Sequence, residues 1–322
     1  MIEFQRLLLG DQVRNDAFAR ALKAVIIPGK TTMADIGSGT GYLSFLAEKL
    51  GAKECFLYEV SNLLDLSKTI AKENGMEHCR FFKTHSTVVK HPPQVDVIVS
   101  ETLGNWPYEE NIIETMNDAQ RFLKPGGIII PQCLRSFVAP VTSSRLYDEL
   151  NVWDRVGSTL DFSAAKEICM NNMYVKDMRK DDLLPSPIAM GEGRGGEGRK
   201  EGQLWDVIDF QMENSSIREG TLEWRMDSPV TLYGFAVWWE ATLVNDIMLS
   251  TNPHEPSTHW KQIYLPLLDL LPVKKGQTVR LSLKSDSHYD VKINVEWETT
   301  IVDQRGKAIQ KLKQDMRKGS LS

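Results

Sequence analysis

The stretch that decides the fold is Thr32-Met33-Ala34-Asp35-Ile36-Gly37-Ser38-Gly39-Thr40-Gly41. Its first five residues predict a short strand, and the residues after Gly41 carry apolar side chains at helical spacing. A glycine-rich turn between a strand and a helix lets a ligand approach the backbone and the helix N-terminus. The glycines alternate as GxGxG, and Asp35 stands two residues before the first. The turn therefore differs from GxGxxG, the pattern of dinucleotide-binding turns.

On both sides of this turn, short β-branched runs alternate with helical segments from about residue 30 to residue 140. That alternation is typical of a parallel sheet covered by helices, so we predict an α/β domain with a Rossmann-like arrangement. The predicted strands are 32–36, 54–59, 80–84, 95–100 and 127–131, and the predicted helices are 41–50, 62–74 and 110–123.

The character of the sequence changes after residue 140. Residues 143–182 are typical of helical and irregular structure, and strands dominate afterwards, at 205–212, 220–226, 230–241, 260–265, 278–283 and 291–302. We therefore predict an α/β domain over 1–140, which includes an N-terminal helix, and an all-β domain over 141–322. Residues 190–202 are rich in glycine and charge and predict a flexible loop, whereas the polar, basic tail 304–322 predicts a frayed helix.

Composition narrows the class of protein and its partners. The chain has 322 residues and a net charge of −5, which disfavours a nucleic acid as main partner and suits a cationic one. Its apolar runs are far shorter than the roughly 20 residues of a transmembrane helix. Residues 1–10 predict an amphipathic helix rather than a signal peptide. We expect no membrane association and a cytoplasmic location, with the nucleus also open if the source is eukaryotic.

The cysteines give no sign of a metal site or of a disulfide framework. Cys55, Cys79, Cys133 and Cys169 lie far apart, with no CxxC pair and no neighbouring histidine cluster. We expect reduced, mostly buried thiols and no bound metal.

A carboxylate at the end of the second predicted strand adds to the glycine turn. Glu59 follows the first glycine by about 20 residues, the spacing at which an acid can bind both hydroxyls of a ribose. No lysine follows the glycines as a phosphate-binding P-loop requires. The combination resembles the class I S-adenosylmethionine methyltransferases, in which the turn faces the methionine portion of the cofactor. A Rossmann-like domain for another nucleotide is the alternative.

A second group of acids begins where the fourth predicted strand ends, the edge at which open α/β sheets bind ligands. Glu101 and Glu110 bracket the loop Glu-Thr-Leu-Gly-Asn-Trp-Pro-Tyr-Glu-Glu. Two close carboxylates repel each other unless one is protonated or a cation lies between them, and a guanidinium can donate to both. The alternatives are a pair of solvated acids and, for the second position, Glu109.

Two further segments extend the pattern over nearly the whole chain. One is Thr258-His259-Trp260, whose indole could stack on a guanidinium, and the other is Leu8-Leu9-Gly10-Asp11-Gln12-Val13-Arg14. With the double-acid loop they resemble the protein arginine methyltransferases. The resemblance implies a β-barrel-like second domain with a helical dimerisation arm at about 145–182, a homodimer, S-adenosylmethionine as cofactor and an arginine-containing protein substrate, with Gly/Arg-rich sequences as candidates.

The resemblance also implies roles for individual residues. Glu101 and Glu110 would bind the guanidinium, His259 would pair with Asp11 to connect the two domains, and the pair is a candidate proton relay. Arg14 would hold the cofactor carboxylate, Glu59 the ribose, and Asp35, Gly37, Gly39 and Gly41 the rest of the cofactor turn. Ser86 or Thr87 would contact the adenine in place of the family's acid, Trp260 would wall the arginine channel, and Tyr108 would line the pocket or pack the loop.

Several departures from the family pattern leave questions open. The chain has ten residues before Asp11, so we expect the family's N-terminal lid to be shortened or absent. The threonine-histidine-tryptophan loop favours monomethyl and asymmetric dimethyl products. Arg194 and Arg199 lie in a glycine-arginine sequence and are candidates for automethylation, against a passive loop. A methyltransferase for another acceptor and an inactive partner subunit are the rival functions.

Overall fold

The computed structural model describes residues 2–157, 159–184 and 202–321. The predicted Gly/Arg loop at 190–202, apart from Gly202, and both candidate automethylation residues, Arg194 and Arg199, lie outside these ranges. None of the helices in the described ranges combines the length and the apolarity that a membrane span requires.

The first domain is built on a parallel sheet in which the predicted strand of the glycine turn is central. Its strand order is β3-β2-β1-β4-β5, and every pair is parallel. The strands are β1 Thr32–Ile36, β2 Glu54–Tyr58, β3 Cys79–Phe82, β4 Val95–Val99 and β5 Leu123–Ile130. The helices are α1 Ile2–Gly10, α2 Gln12–Val25, α3 Tyr42–Lys49, α4 Leu63–Glu73 and α5 Ile112–Ala119. The predicted α/β arrangement is confirmed.

The order of these strands places a ligand site at one edge. β1 is flanked by β2 and β4, so the chain runs to one side after β1 and returns to the other side with β4. Crevices at such a reversal, outside the carboxyl ends of the strands, bind ligands in open α/β sheets. β1 itself is buried from Met33 to Ile36 and needs cover on both faces, as parallel strands do.

The second domain consists of two antiparallel sheets. One has the order β7-β12-β10-β6-β8 with β11 paired to β10, and the other has the order β15-β14-β13-β9. β8 contacts β9 and β12 contacts β15, so the sheets join into the expected barrel-like unit. The strands are β6 Cys133–Val141, β7 Tyr174–Lys176, β8 Gln203–Asp209, β9 Ile217–Arg225, β10 Val230–Val244, β11 Ile247–Ser250, β12 Gln262–Val273, β13 Thr278–Asp286, β14 Asn294–Val302 and β15 Ala308–Asp315.

The structure corrects two sequence predictions in this domain. The predicted boundary at residue 140 falls within β6, which pairs with β10 and β8, so we place the division between β5 and β6. The predicted C-terminal helix is wrong, because residues 308–315 form β15. This strand lies at the sheet edge and is exposed over most of its length. Its lysines reach β14 carboxylates, Lys311 to Glu298 at 2.9 Å and Lys313 to Glu296 at 3.2 Å, which suits a polar edge strand.

The predicted arm consists of α6 Arg145–Leu150, α7 Ser163–Met170 and β7, joined by irregular segments. Leu146 of α6 packs in a small apolar cluster with Phe137, Trp238 and Tyr264. The neighbouring Tyr147 is also buried, and its ring contacts that of Tyr233, with the centroids 5.8 Å apart. The main core is separate from this cluster and runs without a break from the parallel sheet into the barrel-like unit. The two domains therefore share one hydrophobic core, which fixes the position of the site between them.

Candidate active site

A cavity of about 280 Å³ lies at the carboxyl ends of the parallel strands. The segments that follow β1, β2, β3 and β4 all contribute to its wall, as the strand order predicts. Helix α1 forms the opposite wall through Phe4, Gln5, Leu8 and Leu9. The absence of an N-terminal lid, one of the two expected alternatives, is therefore wrong, whereas a shortened lid stays a prediction. None of these four residues is among the predicted site residues. The sequence signal for them is the amphipathic character of α1, whose Leu8 is its one buried residue.

The glycine turn approaches the cavity as predicted at two of its three glycines. Gly37 and Gly39 line the cavity and have φ angles of 74° and 54°. A Cβ at Gly37 would come within 2.8 Å of Thr102. Gly41 does not line the cavity, and a Cβ there would lie 2.4 Å from Ser67 Oγ. Gly41 therefore allows close packing of α3 against α4, and its contact with a ligand stays a prediction.

Two acids frame the turn. The Asp35 carboxylate accepts a hydrogen bond from Ser44 Oγ at 2.7 Å, and full burial raises the pKa of Asp35 to about 7. Glu59 accepts from the Gly39 backbone N–H at 3.0 Å and from the Ser61 N–H at 2.7 Å. Glu59 is buried, lines the cavity and stands at the end of β2, where the sequence placed it.

Arg14 and Glu101 form a buried ion pair at the end of the cavity. Arg14 Nε donates to Glu101 Oε2 at 2.7 Å and its Nη2 donates to the same oxygen, while Nη1 donates to Asn15 Oδ1 at 2.9 Å. Both ion-paired side chains are about 95% buried. Burial raises the pKa of Glu101, and the Arg14 charge offsets part of that rise. Arg14 reaches the cavity as predicted, and its guanidinium contacts the first carboxylate.

The structure separates the two candidates for the second carboxylate. Glu110 lines the cavity, while Glu109 turns back into its own loop and accepts a bond from the Trp106 N–H at 3.2 Å. Glu110 and Asn111 both have left-handed backbone conformations, with φ of 58° and 55°. Burial, followed by the charges of Glu101, Glu109 and Glu59, raises the pKa of Glu110 to about 7. A cation beside Glu110 would relieve this repulsion.

Asp11 and His259 connect the domains as expected. Asp11 Oδ2 accepts from the His259 backbone N–H at 2.7 Å and is 2.8 Å from its Nδ1, and Asp11 Oδ1 caps α2 by accepting from the Arg14 N–H at 2.9 Å. Burial raises the pKa of Asp11, but its hydrogen bonds outweigh that effect and the pKa lies below the ordinary value. Burial lowers the pKa of His259, which favours the neutral ring at pH 7.

Three residues with predicted contacts do not line the cavity, and for two of them, Tyr108 and Thr87, the structure agrees with the alternative that the sequence left open. Trp260 is buried outside the cavity, with Nε1 donating to the Leu103 carbonyl at 2.6 Å. Tyr108 is fully buried and packs the loop rather than lining the pocket. Thr87 is exposed and bonds to His85 Nδ1 at 2.8 Å, whereas Ser86 lines the cavity. Ser86 Oγ is buried and has no hydrogen-bond partner within the described residues.

Residues that could bind a metal are not grouped in the site. Within residues 2–157, 159–184 and 202–321, no three His, Cys, Asp or Glu side chains come together as ligands for an ion. The cavity instead combines a glycine turn, several carboxylates and one arginine. That set suits an organic ligand with a ribose and a positively charged acceptor.

Comparison with known proteins agrees with this architecture. A family model described as arginine methyltransferase oligomerization subdomain matches residues 135–301. A model described as ribosomal protein L11 methyltransferase matches residues 19–134. The chain is similar to protein arginine N-methyltransferase 6 of Xenopus tropicalis, at 30% identity over 84% of this chain and 80% of the relative.

Longer relatives and solved structures extend the comparison. The histone-arginine methyltransferase CARMER of Drosophila persimilis is 26% identical over 92% of this chain, which spans 57% of that relative. The Trypanosoma brucei PRMT1 enzyme-prozyme complex has a TM-score of 0.80 at 20% identity, covering 97% of this chain and 96% of that one. Arabidopsis thaliana protein arginine methyltransferase 10 has a TM-score of 0.78 at 20% identity, with 98% of both chains covered. The chain belongs to the protein arginine methyltransferase family.

Proposed function

We propose that this chain transfers a methyl group from S-adenosylmethionine to a guanidinium nitrogen of arginine in a protein substrate. The observation that carries the proposal is the Arg14–Glu101 pair, because the first carboxylate of the loop already binds a guanidinium at the cavity. Glu110 lines the same cavity, and burial together with the negative charges of neighbouring carboxylates raises its pKa. A positively charged substrate would reduce this repulsion. Arginine is the side chain that offers planar, permanently charged donors to two such carboxylates.

The residues that line the cavity suit the proposed cofactor. Gly37 and Gly39 line the cavity with backbone in the left-handed region, and Glu59 offers a carboxylate at the end of β2 for the ribose hydroxyls. Ser38 and Ser86 line the cavity with buried hydroxyls that have no partner in the described part of the chain. Solved neighbours of this fold carry AdoHcy or SAH in their names, which supports a cofactor of the same kind here.

The role of the protein residues follows from charge and position. When bound, S-adenosylmethionine supplies an electrophilic methyl group on a positively charged sulfur. Glu101 and Glu110 would bind one guanidinium, concentrate its positive charge on their side and leave a terminal nitrogen with more lone-pair character. Arg14 lines the cavity and would hold the carboxylate of the cofactor, while its guanidinium also contacts Glu101. Asp11 and His259 hold α2, and with it Arg14, against the second domain.

His259 of the second domain is a candidate acceptor for the released proton. Burial lowers the pKa of His259, its Nδ1 faces Asp11, and its Nε2 is buried without a hydrogen-bond partner among the described residues. An imidazole oriented in this way can accept a proton on Nε2. The Asp11–His259 pair therefore has a proposed second role as a relay, in addition to its connection between the domains.

The finer properties of the reaction and of the assembly are also proposals. The resemblance of the Thr258–Trp260 loop supports monomethyl and asymmetric dimethyl products. A homodimer is supported by the description of the matched family model and by exposed Val152 and Val156 in the arm. We propose a cytoplasmic location, with a nuclear one supported by the histone-arginine methyltransferase named among the relatives.

An inactive partner subunit is the second candidate function, since one solved neighbour is an enzyme-prozyme complex. The ordered Glu101, Glu110 and Asp11–His259 contacts count against it. Transfer to a non-arginine acceptor is the third, supported by the ribosomal protein L11 methyltransferase model over the first domain.

Mass spectrometry of a Gly/Arg-rich peptide after incubation with the chain and S-adenosylmethionine tests the proposal. We expect added methyl groups on arginine that disappear with Glu101→Gln. Glu109→Gln is the matched control, because Glu109 is the neighbouring acid that does not line the cavity, and we expect it to keep activity. Cofactor binding without transfer to arginine would overturn the proposal and favour the partner subunit or another acceptor.

A further inference from the structure

The loop that carries both proposed carboxylates is held by the second domain along most of its length. We call residues 101–111 the acceptor loop. Two indoles of the barrel-like unit donate to its carbonyls, and other bonds come from backbone and hydroxyl groups. These bonds are Trp260 Nε1 to Leu103 O at 2.6 Å, Trp239 Nε1 to Gly104 O at 2.9 Å, Lys261 N to Asn105 Oδ1 at 2.8 Å, Trp106 Nε1 to Ser285 Oγ at 3.1 Å and Asn111 Nδ2 to Ser287 O at 3.0 Å.

Tyr108 connects the acceptor loop to an ion pair of the second domain, formed by Asp206 and Arg218. Its hydroxyl donates to Asp206 Oδ2 at 2.6 Å and is 3.0 Å from Ser136 Oγ. Asp206 in turn accepts two bonds from Arg218, from Nε at 2.8 Å and from Nη2 at 2.6 Å. Strands β6, β8 and β9 therefore converge on one phenolic oxygen, and the bidentate arginine fixes the direction of the carboxylate.

The backbone near Tyr108 explains why this anchor bears on the chemistry. Glu110 follows two residues later, and it and Asn111 both occupy the left-handed region. Non-glycine residues stay in that region only when the surrounding structure holds them there. Asn111 is bound to the second domain on one side of Glu110, and Tyr108 is bound on the other. The direction of the Glu110 carboxylate thus depends on both anchors.

We propose that Tyr108, Asp206 and Arg218 form a positioning network that directs Glu110 into the acceptor cavity. The inference rests on the proposed function for its catalytic meaning, but the network itself is a property of the fold. The contribution of the Tyr108 hydroxyl can be tested separately from that of its ring. The ring of Tyr108 packs against Trp106 and Trp205, with centroids 6.1 and 5.7 Å away, and a phenylalanine would keep those contacts.

Tyr108→Phe tests the network, with Tyr264→Phe as the matched control. Tyr264 is also fully buried and donates from its hydroxyl to the Tyr233 carbonyl at 2.7 Å, in the small cluster beside the arm. We expect Tyr108→Phe to lower kcat on a Gly/Arg-rich peptide about tenfold or more, the size of one lost charge-assisted hydrogen bond. Cofactor affinity measured by calorimetry stays within about twofold, because the glycine turn and Glu59 are untouched. We expect Tyr264→Phe to keep the wild-type kcat while it loses about as much thermal stability as Tyr108→Phe.

Two further readouts separate positioning from general loosening. The acid limb of the kcat/KM profile moves to lower pH in Tyr108→Phe, because a loosened Glu110 gains water and ionises more easily. Asp206→Asn combined with Tyr108→Phe is no slower than Asp206→Asn alone, because both changes break the same connection. An unchanged kcat and pH profile in Tyr108→Phe, or a loss of kcat equal to that of Tyr264→Phe, overturns the inference.

Hydrogen exchange keeps the test independent of the proposed function. Backbone amides of residues 109–112 exchange faster in Tyr108→Phe than in the wild type, and those amides are unaffected in Tyr264→Phe. Absence of methyl transfer by the wild-type chain would refute the proposed function. Unchanged exchange at residues 109–112 would refute the network, whatever the wild-type activity.

Discussion

Replacing Asp11 by alanine removes one carboxylate that bonds to two domains. Its Oδ1 caps α2 at the Arg14 N–H, and its Oδ2 faces both the backbone N–H and the Nδ1 of His259. The side chain of Asp11 is about 97% buried, so water cannot replace these bonds easily. The variant should therefore lose stability at an interface that connects the N-terminal helices to the barrel-like unit.

The magnitude can be worked out contact by contact. Loss of an N-cap costs about 1 kcal/mol. The buried His259 N–H left without an acceptor costs about 1–3 kcal/mol more. The ring nitrogen adds little, because the neutral imidazole can carry its proton on Nε2 instead. The sum is about 2–4 kcal/mol, which corresponds to a fall in Tm of roughly 5–15 °C for domains of this size.

The assay is thermal unfolding followed by circular dichroism, with Asp315→Ala as control. Asp315 caps a surface turn by the same kind of bond, to the Arg317 N–H at 3.0 Å. Because the pKa of Asp11 is lowered in the folded chain, its contribution is present above pH 4 and declines as pH falls through the lowered value. A Tm loss equal to that of Asp315→Ala at pH 7 would refute the interdomain role of Asp11.

Three other predictions address packing, the cofactor and the proposed acceptor. Gly41→Ala should destabilise the chain by about 2–4 kcal/mol in urea unfolding, because Gly41 has a φ of +84° and a Cβ there would collide with Ser67. Gly75→Ala is the control and should cost only about 1 kcal/mol, because Gly75 has a similar φ of +64° but faces open space. Ser86→Ala should weaken cofactor binding about 2–10-fold in calorimetry, whereas the exposed Thr87→Ala should leave it unchanged; equal effects would contradict the assignment. The kcat/KM of the wild type should fall as pH drops below about 7, because Glu110 is needed ionised and its pKa is raised to about 7; a profile flat from pH 8 to pH 5.5 would rule this out.

Local patterns were enough to predict the parallel sheet and the position of most of the site. The bounds predicted for β1 match the structure, and the acids at 35, 59, 101 and 110 all line the cavity. A strand followed by a glycine turn fixes its own conformation through nearest neighbours, and parallel strands bring their carboxyl ends to one edge. The Asp11–His259 contact was also expected, although only through the resemblance to a family.

Long-range packing decided what those patterns left open. The tail predicted as a helix is an edge strand, because pairing with β14 supplies hydrogen bonds and cross-strand ion pairs that the tail's own sequence does not show. Glu110 rather than Glu109 lines the cavity, because two left-handed residues turn the backbone.

The aromatic residues show the same division. Tyr108 and Trp260 stand in the acceptor and histidine-tryptophan loops as the sequence placed them, yet both point into the interface between the domains. The position of a residue in the hydrophobic pattern indicates whether its side chain is buried, but not which of two buried environments the side chain enters. The sequence by itself thus determined the chemistry at the strand ends, and the tertiary structure decided which side chains face the ligands and which hold the loop. That choice depends on hydrogen-bond partners more than 90 residues away along the chain.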